Sequence, residues 1–159
     1  MTMMWRTISI AVALAFVLGT PNPAAAQSDF NGTWTANMRK SDFGSLASPS
    51  SFVRVIEHDE IHVSIAITVN EGERRQTGEL LLTTDGEEST GEVGGSEVTG
   101  YAHWLGDHLL IHTTRESQGM KMTTYELWTL AGDGKTLQVD ASVSTPMGEE
   151  RLQVIFDKQ

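Results

Sequence analysis

The sequence predicts an all-β fold: a single antiparallel up-and-down β-barrel of about 8–10 short strands. Three observations predict it. Apolar and polar residues alternate with period two from Asn31 to the C-terminus, as half-buried strands require. Turn-forming residues interrupt that alternation at short intervals, which leaves no room for crossover helices and forces consecutive strands to pair antiparallel. No stretch of the same region sustains the apolar stripe of a helix.

The first segment is set apart from this pattern. Met1–Arg6 carries one positive charge, Ile8–Leu18 is apolar except for Ser9, and Gly19–Pro23 breaks the run before Ala24-Ala25-Ala26. That order is the order of a secretory signal peptide. A retained membrane helix needs roughly 20 apolar residues, more than this run offers. The expected division is therefore a signal peptide over 1–26, cleaved after Ala26, and a barrel domain over 27–159. The mature chain is expected to be periplasmic or secreted, with no stable membrane anchor.

Strand candidates then follow in order. Gly32–Met38 comes first, followed by a long Ser-containing connection over Arg39–Ser51 that can wrap the barrel end, cover its mouth or move freely. Phe52–His58 precedes the clearest strand, in which Ile61, Val63, Ile65, Ile67 and Val69 alternate with His62, Ser64, Ala66, Thr68 and Asn70. Arg75–Thr84, Ser89–Val93, Val98–Leu105, His108–Arg115 and Lys121–Leu130 come next. Leu137–Ser144, nearly as regular as the clearest strand, and Arg151–Phe156 complete the set. Glu71-Gly72, Asp85-Gly86, Gly106-Asp107, Gly119, Gly132-Asp133-Gly134 and Pro146-Met147-Gly148 supply the turns.

Register separates a barrel from a sandwich. With Gly106-Asp107 as a two-residue turn, Trp104 opposes Leu109 and Ala102 opposes Ile111 on the core face. Tyr101, His103, His108, Leu110 and His112 then share the outer face. Along the following strand Met122, Thr124, Glu126, Trp128 and Leu130 share one side. A sandwich core resists an unpaired carboxylate such as Glu126. A small barrel with polar groups near a wet mouth tolerates it, and this favours the barrel.

Asn31-Gly32-Thr33-Trp34 resembles the G-x-W motif that opens lipocalins and their relatives. Arg39-Lys40-Ser41-Asp42-Phe43-Gly44 and Trp104–Ile111 extend the likeness, as do Leu127–Leu130, Gly132–Leu137 and Val154–Gln159. With these, the chain resembles a group of small exported lipocalin-like (calycin-type) bacterial proteins, mostly uncharacterised. The resemblance implies that Trp34 closes the barrel base, with Arg151 or Lys158 as its basic partner. The chain lacks a T-D-Y-x-x-Y-type second motif and has no cysteine pair, so no particular lipocalin ligand class follows.

Composition narrows the chemistry. A net charge of −10 disfavours nucleic-acid backbones and anionic lipid surfaces. Zero cysteines exclude disulfides, thiol nucleophiles and thiolate metal sites. His58/His62 and His108/His112 are spaced for a helix, and on a strand the same spacing spans about 13 Å, too far for shared coordination. His103 with His108 or His112 lacks a third ligand, and the acidic turns around Asp85 and Asp133 match no calcium loop. No G-x-S-x-G elbow appears, and adjacent carboxylates point to opposite strand faces. No catalytic residue, metal or cofactor is therefore expected.

The expected function is non-enzymatic binding of a small, largely apolar molecule in the barrel interior. Trp104, Trp128, Met122 and Thr124 are the candidate walls, or else ordinary core. Glu126 either accepts hydrogen bonds from a ligand or pairs with inward-facing Arg54. The alternative is an envelope protein-interaction or inhibitor module acting through its loops or the Tyr101–His112 outer face.

Overall fold

A computed structural model describes residues 26–117 and 119–159; the expected leader lies outside them, except for Ala26. The strands are β1 (Gly32–Ala36), β2 (Ser51–His58), β3 (His62–Glu71), β4 (Arg74–Thr83), β5 (Ser89–Val93), β6 (Ser96–Leu105), β7 (His108–Ser117), β8 (Met120–Leu130), β9 (Thr136–Thr145) and β10 (Gly148–Lys158). Each pairs antiparallel with its sequence neighbour, and β1 pairs with β10, closing the sheet into an up-and-down barrel. Closure removes the free edges that an open sheet exposes to other chains. No helix occurs among the described residues.

Local chemistry sets the hairpins. Leu105 pairs with His108 across a two-residue Gly106-Asp107 turn, with Gly106 at φ 67°, a conformation that favours glycine. The predicted register of β6 on β7 is the observed one: Trp104 faces Leu109 and Ala102 faces Ile111. Between β2 and β3, the Asp59 carboxylate accepts the Ile61 and His62 N–H groups at 2.8 and 2.7 Å, fixing that turn. β10 starts three residues earlier than the alternation suggests, because Glu149 and Glu150 continue the ladder opposite Ser144 and Val143.

β1 is much shorter than β10, so their seam would split toward one end. The Arg39–Ser51 connection fills that gap. Asp42 and Gln153 exchange backbone hydrogen bonds of 2.7 and 2.8 Å, Ser45 Oγ donates to Glu150, and Phe43 is buried in the core. The connection is thus anchored along β10.

The core is concentrated at the end holding the β2–β3, β6–β7 and β8–β9 turns. Trp34, Ile56, Val63, Leu109, Trp128, Leu137 and Phe156 are fully buried there. Phe30, just before β1, plugs this end. Its ring stacks on Trp104 at 5.9 Å and meets Trp128 edge-on at 5.6 Å. Its carbonyl accepts the Trp34 indole N–H at 2.7 Å, and its own N–H is accepted by His58 Nε2 at 2.9 Å. Phe30, Gly32 and Trp34 share one parity, so the alternation already points to this placement.

Candidate functional site

Inward side chains change character along the barrel axis. At the plugged end most are fully buried, with Trp104 and Leu130 partly so. Toward the other end, inward-facing Ile67, Val69, Thr113, Met122, Thr124 and Val143 are only half-buried. Of these, Ile67 packs against the core, and the partly exposed remainder is inward surface that a bound molecule would cover.

A polar crossbar separates the two halves. Arg54, on β2 between Trp34 and Ile67 in register, reaches across the interior to Glu126 on β8. Its Nη1 and Nη2 donate to Glu126 Oε2 and Oε1, each at 2.8 Å. Trp128 Nε1–H donates a third bond to Oε2 at 2.7 Å. Side-chain exposure is 7% for Arg54 and 17% for Glu126, so the pair is largely desolvated, where bidentate geometry matters most. The guanidinium also lies about 5 Å from three ring centres: Phe52 (5.0 Å), Phe156 (5.2 Å) and Trp128 (5.3 Å). Burial pushes the Glu126 carboxyl up, but the Arg54 charge and the hydrogen bonds from Arg54 and Trp128 outweigh it and hold the group below the ordinary carboxylate value.

The expected site residues therefore divide. Met122 and Thr124 face the open half. Glu126 and Arg54 pair with each other and form its floor. Trp128 is fully buried beneath that floor. Trp104 packs on Phe30 at the plugged end, with its Nε1 buried and without a partner. The indoles thus lie behind the floor. Trp34 is fully buried at the base, and Lys158 Nζ sits 5.2 Å from its ring centre. Arg151 does not take that place: it is 87% exposed on the outer face, 3.6 Å from Glu149. The reason is parity, since Arg151 pairs with Ser142 in the outward row whereas Lys158 pairs with Trp34.

Arg115 was not singled out from the sequence. It pairs with buried Val98 and with Met122, which puts it on the inner face of β7. Extending the β6–β7 register four positions past Ile111 reaches it, so the signal was present.

The outer face carries a second feature. Tyr101, His112 and Tyr125 form a cross-strand row with ring centres 4.7 and 4.5 Å apart. Burial lowers the His112 pKa. Beside the row lies a depression of about 490 Å³ bordered by Leu110, Leu127, Asp140 and Arg151. Among the described residues, no cluster of three or more His, Asp or Glu side chains is placed to hold a metal ion.

No protein-family model and no curated protein matches the sequence. Among solved structures, the chain is similar to a secretary abundant heat soluble (SAHS) protein from Ramazzottius varieornatus. That likeness has a TM-score of 0.60 and 12% identity, over 86% of this chain and 99% of that one. The chain is also similar to human cRBP IV, with a TM-score of 0.47 and 17% identity, over 83% of this chain and 99% of that one. The first likeness is one of fold.

Proposed function

We propose that this protein is a non-enzymatic, exported binding protein that takes a small, largely apolar molecule into the open half of its barrel. The observation that carries this reading is the half-buried inward row containing Ile67, Val69, Met122 and Val143, set above a floor whose own polar groups are largely satisfied. Partly exposed inward apolar surface with a few polar groups nearby is the kind of lining that small-molecule sites use. Thr113 and Thr124 would supply hydrogen bonds to the ligand. The Arg54–Glu126 crossbar would keep it from reaching the packed end. The leader would direct the chain out of the cytoplasm, where a cysteine-free barrel needs no oxidative folding.

The outer aromatic row and its depression favour a second reading, in which that face engages a partner. One titration separates the two. Nile red, a neutral apolar fluorophore, is expected to bind the mature chain at 1:1 stoichiometry. Thr124→Trp, which fills the open half, is expected to weaken binding at least about tenfold. Tyr125→Ser, on the outer face, is expected to leave it unchanged. The reverse pattern would move the site to the outer face, and no saturable binding would remove the interior reading.

A further inference from the structure

On the outer face, the depression beside the aromatic row gathers side chains that a solvated sheet face does not need, since such a face is ordinarily polar throughout. Two cross-strand rows meet there. Leu110, Leu127, Asp140 and Gln153 lie opposite one another in turn, and so do His112, Tyr125, Ser142 and Arg151. Asp42, bridged to Gln153, closes the far wall.

Two of these groups are preset. The Asp140 carboxylate accepts an N–H from Gln138 Nε2 at 2.8 Å on one oxygen and from Gln153 Nε2 at 2.9 Å on the other. Its orientation is thereby fixed, and each oxygen keeps a lone pair for a further donor. Tyr125 is 46% exposed. One face of its ring meets His112 at 4.5 Å, and the strand on the other side offers only the small Ser142, so the second face is left open toward the depression. Arg151 stands exposed on the opposite wall, two strand spacings or about 10 Å across the sheet from Tyr125.

Charge and shape select the occupant. Asp42 and Asp140 outnumber Arg151 on the lining, which disfavours an anion. A purely apolar molecule would strip water from these carboxylates without replacing its hydrogen bonds. A second copy related by a two-fold axis would bring an identical hollow and leave both unfilled. A neutral ring with hydroxyls around its rim and C–H groups on its faces meets all these conditions. Its C–H face packs on an aromatic ring, and its hydroxyls both donate and accept.

We infer that this depression is a saccharide site, in which the C–H face of a gluco-configured pyranose lies on Tyr125 while its hydroxyls donate to Asp140 and accept from Arg151. The site is separate from the barrel interior and holds whether or not the interior takes a ligand.

The test is a heteronuclear NMR titration of the mature chain with cellotetraose, a β-linked glucose chain. Saturable shifts are expected at the amides of Leu127, Asp140, Ser142 and Gln153, with a Kd of about 1 mM. Tyr125→Ser is expected to weaken binding at least about tenfold, and Tyr125→Phe, which keeps the ring, to leave it within about twofold. Asp140→Asn removes the charged acceptor and is expected to cost about tenfold, the fold-change of one charge-assisted hydrogen bond. The interior variant Thr124→Trp should bind cellotetraose as the unaltered protein does. Sorbitol, an open-chain polyol without a ring face, is expected to give no saturable shift. No saturation up to about 20 mM cellotetraose, or saturable shifts confined to other residues, would overturn the saccharide assignment. So would equal binding of sorbitol, or unchanged affinity in either Tyr125→Ser or Asp140→Asn. Shifts of the same amides that follow protein concentration alone would give the face to a second copy and overturn it too.

Discussion

Glu126 is held as a carboxylate inside a β-barrel by three short hydrogen bonds and one opposing charge. Its native pKa lies below its ordinary value, because the Arg54 charge and hydrogen bonds outweigh burial. A depressed carboxyl pKa contributes stability that is complete above the unfolded value and lost as pH falls through the native one. The thermal midpoint should therefore drop as the solution is acidified below about pH 4.5, the ordinary value for this group. Asp29, Asp59 and Asp85 are shifted in the same direction by backbone N–H groups and add to the drop. Glu126→Gln should shallow the decline without removing it. An identical acid limb in both proteins, measured by circular dichroism melts from pH 7 to 3, would show that the crossbar does not contribute to it.

The strands around β5 show how the sheet bends. β5 has five residues and shares two register pairs with β4. At Gly91 and Gly100 the neighbouring strand's backbone lies close against the glycine. A Cβ on Gly91 would stand 2.6 Å from the Glu79 carbonyl oxygen, and one on Gly100 would stand 2.6 Å from that of His112. Both obstacles are backbone, so a side chain cannot be accommodated by a rotamer change. Glycines at tight bends let a sheet curl toward closure. Gly100→Ala is expected to destabilise the barrel by about 1–3 kcal/mol, as overpacking does. Gly132→Ala, where a Cβ meets nothing within 4 Å, should stay within about 0.5 kcal/mol. Urea unfolding of the two variants checks the pair, and equal midpoints would refute the packing account.

For the whole molecule, the weak point is the closing seam. β1 and β10 share three register pairs, Trp34 with Lys158, Thr35 with Asp157 and Ala36 with Phe156. Ending the chain after Leu152 removes that seam, exposes an edge on β1 and takes buried Val154 and Phe156 out of the core. The truncated chain is expected to lose cooperative thermal unfolding and to associate through its free edges. Size-exclusion chromatography with near-ultraviolet circular dichroism reads both effects. A monomer with an unchanged melt would show that closure contributes little.

The sequence by itself determined the strands and their pairing, because alternation and turn chemistry are local. Period two placed Ile65 and Val139 inward, and Gly106-Asp107 fixed the register that sets Trp104 against Leu109. It also put Glu126 in the inward row, where a carboxylate needs either a partner such as Arg54 or a ligand, without deciding between them. What only the tertiary structure decided is which inward residues are packed and which stay open. Trp128 and Met122 share a strand face, yet one is fully buried and the other half-buried. The difference arises from Phe30 and Trp34 filling one end, and that depends on strands far apart in the chain. The same holds for charge. Alternation puts Arg54 and Arg115 inward alike, but only closure of the sheet brings Glu126 to Arg54, while Arg115 meets no carboxylate at ion-pair distance among the described residues.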